Sequence, residues 1–443
     1  MKRIYYLGLA LGIMFCTTTF VSCGDDDVKS NPENPYSDGS GSEQNPNTQK
    51  EGERDASGHL LINETNFPDE KFRSYLLSQD YGTDGVLTDA EIAEIAKITN
   101  SDVTWRNIQS LQGIEYFTAL TILAFSDTQL TSLDVSKNTK LEVLACDYNQ
   151  LTSLDVSGCA ALRTLVCYNN KLTSLDVTKN TKLAKLWCDS NQLTSLDVSK
   201  NTALTDLSCN RNLLTSLDVS KNTALTSLVC SFNQFTSLDV SQNTALTNLV
   251  CSSNQFTSLD VSKNTALTDL SCNRNLLTSL DVSKNTALTY LSCDVNPLTS
   301  LDVSKNTKLT TLYCYSNQLT SLDVTKNTAL TELWCHENQL TSLDLSKNTA
   351  LYTLYCYKNK IEGDGMDALV ESLSTVGKRP PLVYPAYGRM SIIFYENEQN
   401  VMTTTQVAAA KAKGWVPHYT DGEKDENNNY IWKEYAGVDP AAK

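Results

Sequence analysis

Eleven cysteines in this 443-residue chain fall at a fixed interval of 21 residues, from Cys146 to Cys356. Phe125 stands where a twelfth would be. A period held that long restricts the chain to a stack of equal units, each too small to close a core without its neighbours. The text is also monotonous. Residues 202–226 recur letter for letter as residues 265–289.

Within one unit, Leu204, Leu207, Cys209, Asn212 and Leu214 spell L-x-x-L-x-C-x-x-N-x-L. This resembles the leucine-rich-repeat pattern, and the resemblance runs from about Leu111 to Ile361. Ten residues on, Leu214, Leu217, Val219 and Asn222 spell it again. Each coil therefore reads as two similar half-turns. Alternation predicts a short strand in each half, with Leu207 and Cys209 inward on one side and Leu217 and Val219 inward on the other. Asn212 and Asn222 sit where the chain must turn, and their amides suit a ladder that satisfies buried backbone groups. The resemblance implies a leucine-rich-repeat solenoid of the α/β class, mostly parallel β coils, with a cap at each end.

The cysteine column reads most simply as core, because cysteine is small and commonly buried. In-register parallel side chains suit a disulfide dihedral poorly, and eleven is odd; disulfides and a metal remain the alternatives. Cys159 replaces a turn asparagine. A second column, Asp134 to Asp344, stacks eleven carboxylates on the back, with a lysine three residues on in most repeats. It is expected to be a solvated ladder neutralised by those lysines, with a cation-binding ridge as the alternative.

The ends break the period. Lys2 and Arg3 precede an apolar run too short to span a membrane comfortably. Val21 and Ser22 before Cys23 resemble a bacterial lipobox, which implies lipid attachment at Cys23 after cleavage of residues 1–22. Asp25, Asp26 and Asp27 resemble the export signal of Bacteroidetes surface lipoproteins; a plain spacer is the alternative. The implied location is the outer membrane, lipid-anchored and facing outward. Residues 23–57 are nearly devoid of apolar side chains and read as a disordered tether. As a random coil it reaches roughly 30 Å.

Residues 58–103 read as a helical N-terminal cap. "DYGTDGVLTDAE", residues 80–91, resembles an EF-hand calcium loop, with Asp80, Asp84, the Val86 carbonyl and Glu91 as the implied ligands. Gly82 departs from the pattern by offering no oxygen. The alternative is a capping box between Thr88 and Glu91. "IQSLQGIEYFTAL", residues 108–120, resembles the first repeat of internalin-like leucine-rich-repeat proteins. Residues 104–361 are the solenoid and 362–443 a βα C-terminal cap, in which Trp415 and Trp432 are read as core, with a ligand platform as the alternative.

The back half-turn "TSLDVSKNT" hardly varies between repeats, whereas the outward positions flanking the cysteine do. There Tyr313, Trp334 and Tyr355 run beside Tyr315, His336 and Tyr357, with Tyr290 and Glu332 alongside. Trp187 and Tyr168 form a smaller group. Exposed aromatics of this kind stack on sugars or anchor protein partners, though they also favour strands for their own packing. The expected partner is a protein or glycan of a host or a neighbouring cell, bound by a monomer. A spacer element of the envelope is the alternative. Net charge is −15, which disfavours nucleic acid. Three histidines, none in a triad pattern, and no phosphate loop or HExxH motif argue against an enzyme.

Overall fold

The computed structural model describes residues 52–99, 108–375, 388–393, 399–420, 422–425 and 431–438. Cys23, the leader and the tether up to residue 51 lie outside these. Among the described residues, no helix is long and apolar enough to cross a membrane.

Twelve three-residue strands, β4 (Ile122–Ala124) to β15 (Thr353–Tyr355), recur one per coil and pair in parallel, in register. The middle leucine of each is buried, as is the cysteine that follows two residues later, with Phe125 in its place after β4. All twelve described cysteines are free thiols. With Leu204, Leu214 and Val219 also buried, each coil contributes an apolar layer. Full burial of one such side chain stabilises by about 1.5–3 kcal/mol.

Two asparagine ladders hold the coils together. Asn212 donates through Nδ2 to the carbonyls of Cys188 (3.0 Å), Cys209 (3.1 Å) and Asn210 (3.3 Å), while its Oδ1 accepts from the Leu193 amide (3.0 Å). Asn222 donates to the carbonyls of Val198 (2.9 Å) and Asn201 (2.8 Å). Cys159, standing in for an asparagine of this second ladder, donates through its thiol to the carbonyls of Val135 and Asn138. The residue before each front-ladder asparagine is left-handed, as at Arg211 (φ 54) and Phe232 (φ 53), and this turns the chain out of the strand.

The back half-turn differs from the sequence expectation. It carries no continuous sheet; a single isolated bridge, Asp134 to Asp155, is found among the described residues. Local bonds take the backbone groups instead. The Ser220 amide donates to Asp218 Oδ1 (2.9 Å), the Asn222 amide to the Val219 carbonyl (2.9 Å) and the Leu225 amide to the Asn222 carbonyl (3.1 Å). The aspartate column is thus a set of turn-forming acceptors. The Asp218 carboxyl is held below the usual range first by that backbone bond, with the Lys221 charge a lesser cause. No ion pair joins this column to its lysines among the described residues, so the expected neutralisation is replaced by local turn geometry.

The N-terminal cap begins earlier than residue 58. Asn66 accepts from the Glu53 amide and donates to the Glu53 and Leu61 carbonyls, each at 2.8 Å, which ties residues 52–57 to the body. β1 (Leu60–Leu61) pairs antiparallel with β2 (Val86–Leu87). Helix α1 (Glu70–Ser78), capped by Asp69, buries Phe72 and Leu76. The Phe72 ring meets Phe125 edge-on at 6.3 Å, which explains a bulky residue where the cysteine column would begin. Helix α2 (Asp89–Glu94) leads to β3 (Lys97–Thr99), the first strand of the long sheet.

At the other end, helix α3 (Gly363–Ser372) covers the last coil. β16 (Gly388–Ile393) extends the parallel sheet, α4 (Thr404–Ala412) crosses over, and β17 (Trp415–Tyr419) adds beside β16. β18 (Lys433–Glu434) closes the edge antiparallel. Trp415 is buried among these elements. The cap also finishes the front ladder: Asn400 donates to the Cys356 carbonyl (2.8 Å) and accepts from the Ile361 amide (2.9 Å).

Candidate functional site

The parallel register aligns equivalent residues of successive coils, so a variable position becomes a column across the front sheet. In the last coils two such columns are filled with rings. Tyr313 and Trp334 lie 4.5 Å apart between centroids, and Trp334 and Tyr355 4.8 Å. Tyr290 meets Tyr313 edge-on at 5.6 Å. In the second column His336 is stacked between Tyr315 (4.4 Å) and Tyr357 (4.3 Å). All the predicted residues of the larger patch are therefore brought together.

Two of them behave differently from expectation. His336 is not displayed: it is only 7 % exposed, because the flanking tyrosines cover both ring faces. Burial pushes its imidazole down to about 3, so it is neutral at physiological pH. Glu332 is a fixed element. One carboxylate oxygen accepts from Tyr313 Oη (3.0 Å) and the other from Tyr352 Oη (3.2 Å).

Trp432 was read as core, yet it is half-buried and lies over the end of the patch, 6.0 Å from Tyr355 and 5.4 Å from Tyr357. Its contribution was not legible because it comes from the aperiodic tail, outside any column. The patch also contains two buried polar atoms without a hydrogen-bond partner, Trp334 Nε1 and His336 Nδ1.

The smaller group sits on β6 (Thr164–Val166) and β7 (Lys185–Trp187) and the turns that follow. Tyr168 and Trp187 pack on Ala124, Ala145 and Val166. Tyr148 meets Tyr168 edge-on at 5.2 Å.

At the N-terminal cap two residues of the loop that resembles an EF-hand make local bonds. Glu91 accepts from the Thr88 amide and hydroxyl, both at 2.8 Å, completing a capping box. Asp84 accepts from the Val86 amide at 3.1 Å. A side chain at position 82 is sterically barred, since a Cβ there would lie 2.0 Å from the Leu76 carbonyl oxygen. Among the described residues no group of three His, Cys, Asp or Glu is placed to hold a metal ion.

No family model and no curated protein matches the chain. Solved structures do. The functional domain of InlJ from Listeria monocytogenes, described as including a cysteine ladder, is 34 % identical; the match covers 89 % of this chain and 95 % of that one, with a TM-score of 0.64. The internalin InlF from the same organism is 25 % identical over 73 % of this chain and 99 % of its own, with a TM-score of 0.62. A leucine-rich-repeat protein of Leptospira interrogans shares the fold at 21 % identity, with coverage of 68 % and 84 % and a TM-score of 0.54.

Proposed function

Because the chain belongs to the internalin-like leucine-rich-repeat proteins, we propose that it is a cell-surface recognition module that captures a partner on the front sheet of its solenoid. The single observation that carries this reading is the contrast between the two faces. The back of each coil is nearly invariant and carries the same turn bonds from repeat to repeat, whereas the front gathers Tyr313, Trp334, Tyr355 and their neighbours into one contiguous aromatic patch. Trp and Tyr concentrate binding energy in interfaces because they combine large area with a polar tip.

The module is non-enzymatic in this reading. Its partner is a protein or glycan of a host or neighbouring cell. Lipidation at Cys23 tethers it to the outer membrane, and that anchor is its one contact with the bilayer. Trp334 and Tyr355 are the anchors, and Tyr290, Tyr315 and Tyr357 extend the surface. Glu332 and His336 hold the rings in place.

The test is a glycan and host-matrix-protein array probed with unlipidated protein. Wild type is expected to bind, and the double substitution Trp334→Ala, Tyr355→Ala is expected to weaken binding about 30-fold or more while leaving the circular dichroism unchanged. Equal binding by the variant, or a blank array, would favour an envelope spacer with no specific ligand.

For residues 80–91 we propose the capping role, on the strength of the two bonds between Glu91 and Thr88. Calorimetry with millimolar calcium is expected to show no binding heat. A saturating signal would reassign Asp80, Asp84, the Val86 carbonyl and Glu91 as ligands.

A further inference from the structure

The smaller aromatic group borders a cleft of about 370 Å³. The cleft is a consequence of side-chain size along one column. Trp187 is in register with Ser208 on β8 (Asp206–Ser208), so a large ring is followed by a small side chain and a notch opens beside it. Two carboxylates, Asp189 and Asp206, and the amide of Asn210 also line it.

Their hydrogen bonding is incomplete in one specific place. Asp189 Oδ1 accepts from Ser208 Oγ (2.5 Å) and from the Asn210 amide (2.9 Å). Asp206 Oδ2 accepts from Thr205 Oγ1 (2.8 Å). Asn210 Oδ1 is buried and accepts from nothing.

The repeat supplies its own control. Residues 265–289 are identical to residues 202–226, so Asp269, Ser271 and Asn273 reproduce Asp206, Ser208 and Asn210. There the side-chain oxygen of Asn273 accepts from Ser252 Oγ of the preceding coil. The position of Ser252 is taken in the first copy by Asp189, whose Oδ1 already accepts from Ser208 Oγ and the Asn210 amide. The wall position is also different, Val250 in one copy and Trp187 in the other. The same text is thus internally satisfied in one coil and left with an unpaired buried oxygen, near an indole, in the other.

We propose that this cleft is a saccharide subsite that takes one pyranose ring of a neutral glycan, with Trp187 as the stacking wall and Asp189, Asp206 and Asn210 as acceptors for ring hydroxyls. The inference rests on the reading of the front sheet as the ligand face. Each part follows from chemistry. A sugar ring presents an apolar C–H face to the indole and hydroxyl donors at its rim. The two carboxylates that line the cleft ask for donors, as does the unpaired oxygen of Asn210, and the carboxylates repel sialic and uronic acids. The volume lies in the range of small-ligand sites, about 300–1,000 Å³.

The test uses unlipidated full-length protein and saturation-transfer NMR with cellotriose, mannotriose and chitotriose, and sialyllactose as the acidic probe. At least one neutral trisaccharide is expected to bind saturably, and sialyllactose at least tenfold more weakly. Trp187→Ala is expected to lower the affinity tenfold or more. Asp189→Ser, which restores the neighbour that satisfies Asn273, is expected to do the same, and Asn273→Ala to leave it unchanged. Absence of binding by all three neutral probes, or binding that survives both Trp187→Ala and Asp189→Ser, overturns the proposal. Those results leave the larger patch untouched. Its own failure is read from array binding by the Trp334→Ala, Tyr355→Ala variant.

Discussion

Replacing Asn254 with aspartate is expected to destabilise the middle of the solenoid by about 3–5 kcal/mol at neutral pH. Asn254 donates through Nδ2 to the carbonyls of Cys230 (3.1 Å), Cys251 (3.1 Å) and Ser252 (3.2 Å), and its Oδ1 accepts from the Phe235 amide (3.2 Å). Aspartate keeps the acceptor and turns the donor into a second oxygen aimed at three carbonyls. The position is 8 % exposed, so neither water nor a counter-ion relieves the charge. Asn254→Ala removes the bonds without adding charge and is expected to cost less, about 2–3 kcal/mol. The two differ in pH dependence. Burial raises the pKa of the introduced carboxyl above its unfolded value, so the folded state binds the proton more tightly. The aspartate variant therefore recovers stability as pH falls from 7 toward 4, and the alanine variant does not. Urea unfolding at both pH values, with hydrogen exchange to locate the weakened coils, checks this. An aspartate variant as stable as wild type at pH 7 would remove the ladder from its structural role.

The aromatic patch is expected to loosen under mildly acidic conditions through His336. Its imidazole is pushed from 6.5 down to about 3, chiefly by burial between Tyr315 and Tyr357. The folded state excludes the proton that the unfolded chain accepts. Its contribution to stability is complete above pH 6.5 and is lost as pH falls toward 3, at about 1.4 kcal/mol per unit. At pH 4.5 the loss is roughly 3 kcal/mol.

Neighbouring groups do not reproduce that window. Asp147, Asp189 and Asp294 are raised, mainly by burial, and favour the folded state as pH falls. The back-column aspartates with lowered pKa values lose stability below about 3.8. Glu337 is opposed by burial but brought down on balance by its bonds to Ser316 and Lys358, and its loss begins below 4.5. His336→Phe keeps the stack and removes the titration, so its stability is expected to be flat between pH 6.5 and 4.5. Tryptophan fluorescence during urea unfolding reads this out through Trp334 and Trp432. A wild-type protein equally flat over that range would mean that His336 is hydrated.

Much of this architecture is readable from residue spacing. The 21-residue interval defines the coil, and Leu207, Cys209 and Asn212 hold the positions expected of a strand, a core thiol and a ladder amide. The similarity of the two half-turns was misleading. Leu217 and Val219 repeat the pattern of Leu207 and Cys209, but the intervening Asp218 draws the Ser220 amide into a turn and the back sheet does not form. A hydrophobic pattern records which residues face inward; it does not record which acceptor wins a backbone amide. The candidate site divides in the same way. Column variation pointed to Trp334 and Tyr355. Whether a column residue is displayed or sandwiched depends on ring stacking between coils, which column variation does not record for His336; Trp432 lies outside any column, so the repeat carries no signal for its place at the patch.

The ladders have a direction. Asn212 reaches back to Cys188 and Leu193 of the preceding coil, Asn222 reaches back to Val198, and Asn400 reaches back to Cys356 and Ile361. Every coil is completed by the one that follows it and asks nothing of the kind from later residues beyond that. A chain delivered from its N-terminus, whether by synthesis or by export, can therefore lock vectorially, each arriving 21 residues sealing the last and leaving a single unsealed edge at the point of emergence.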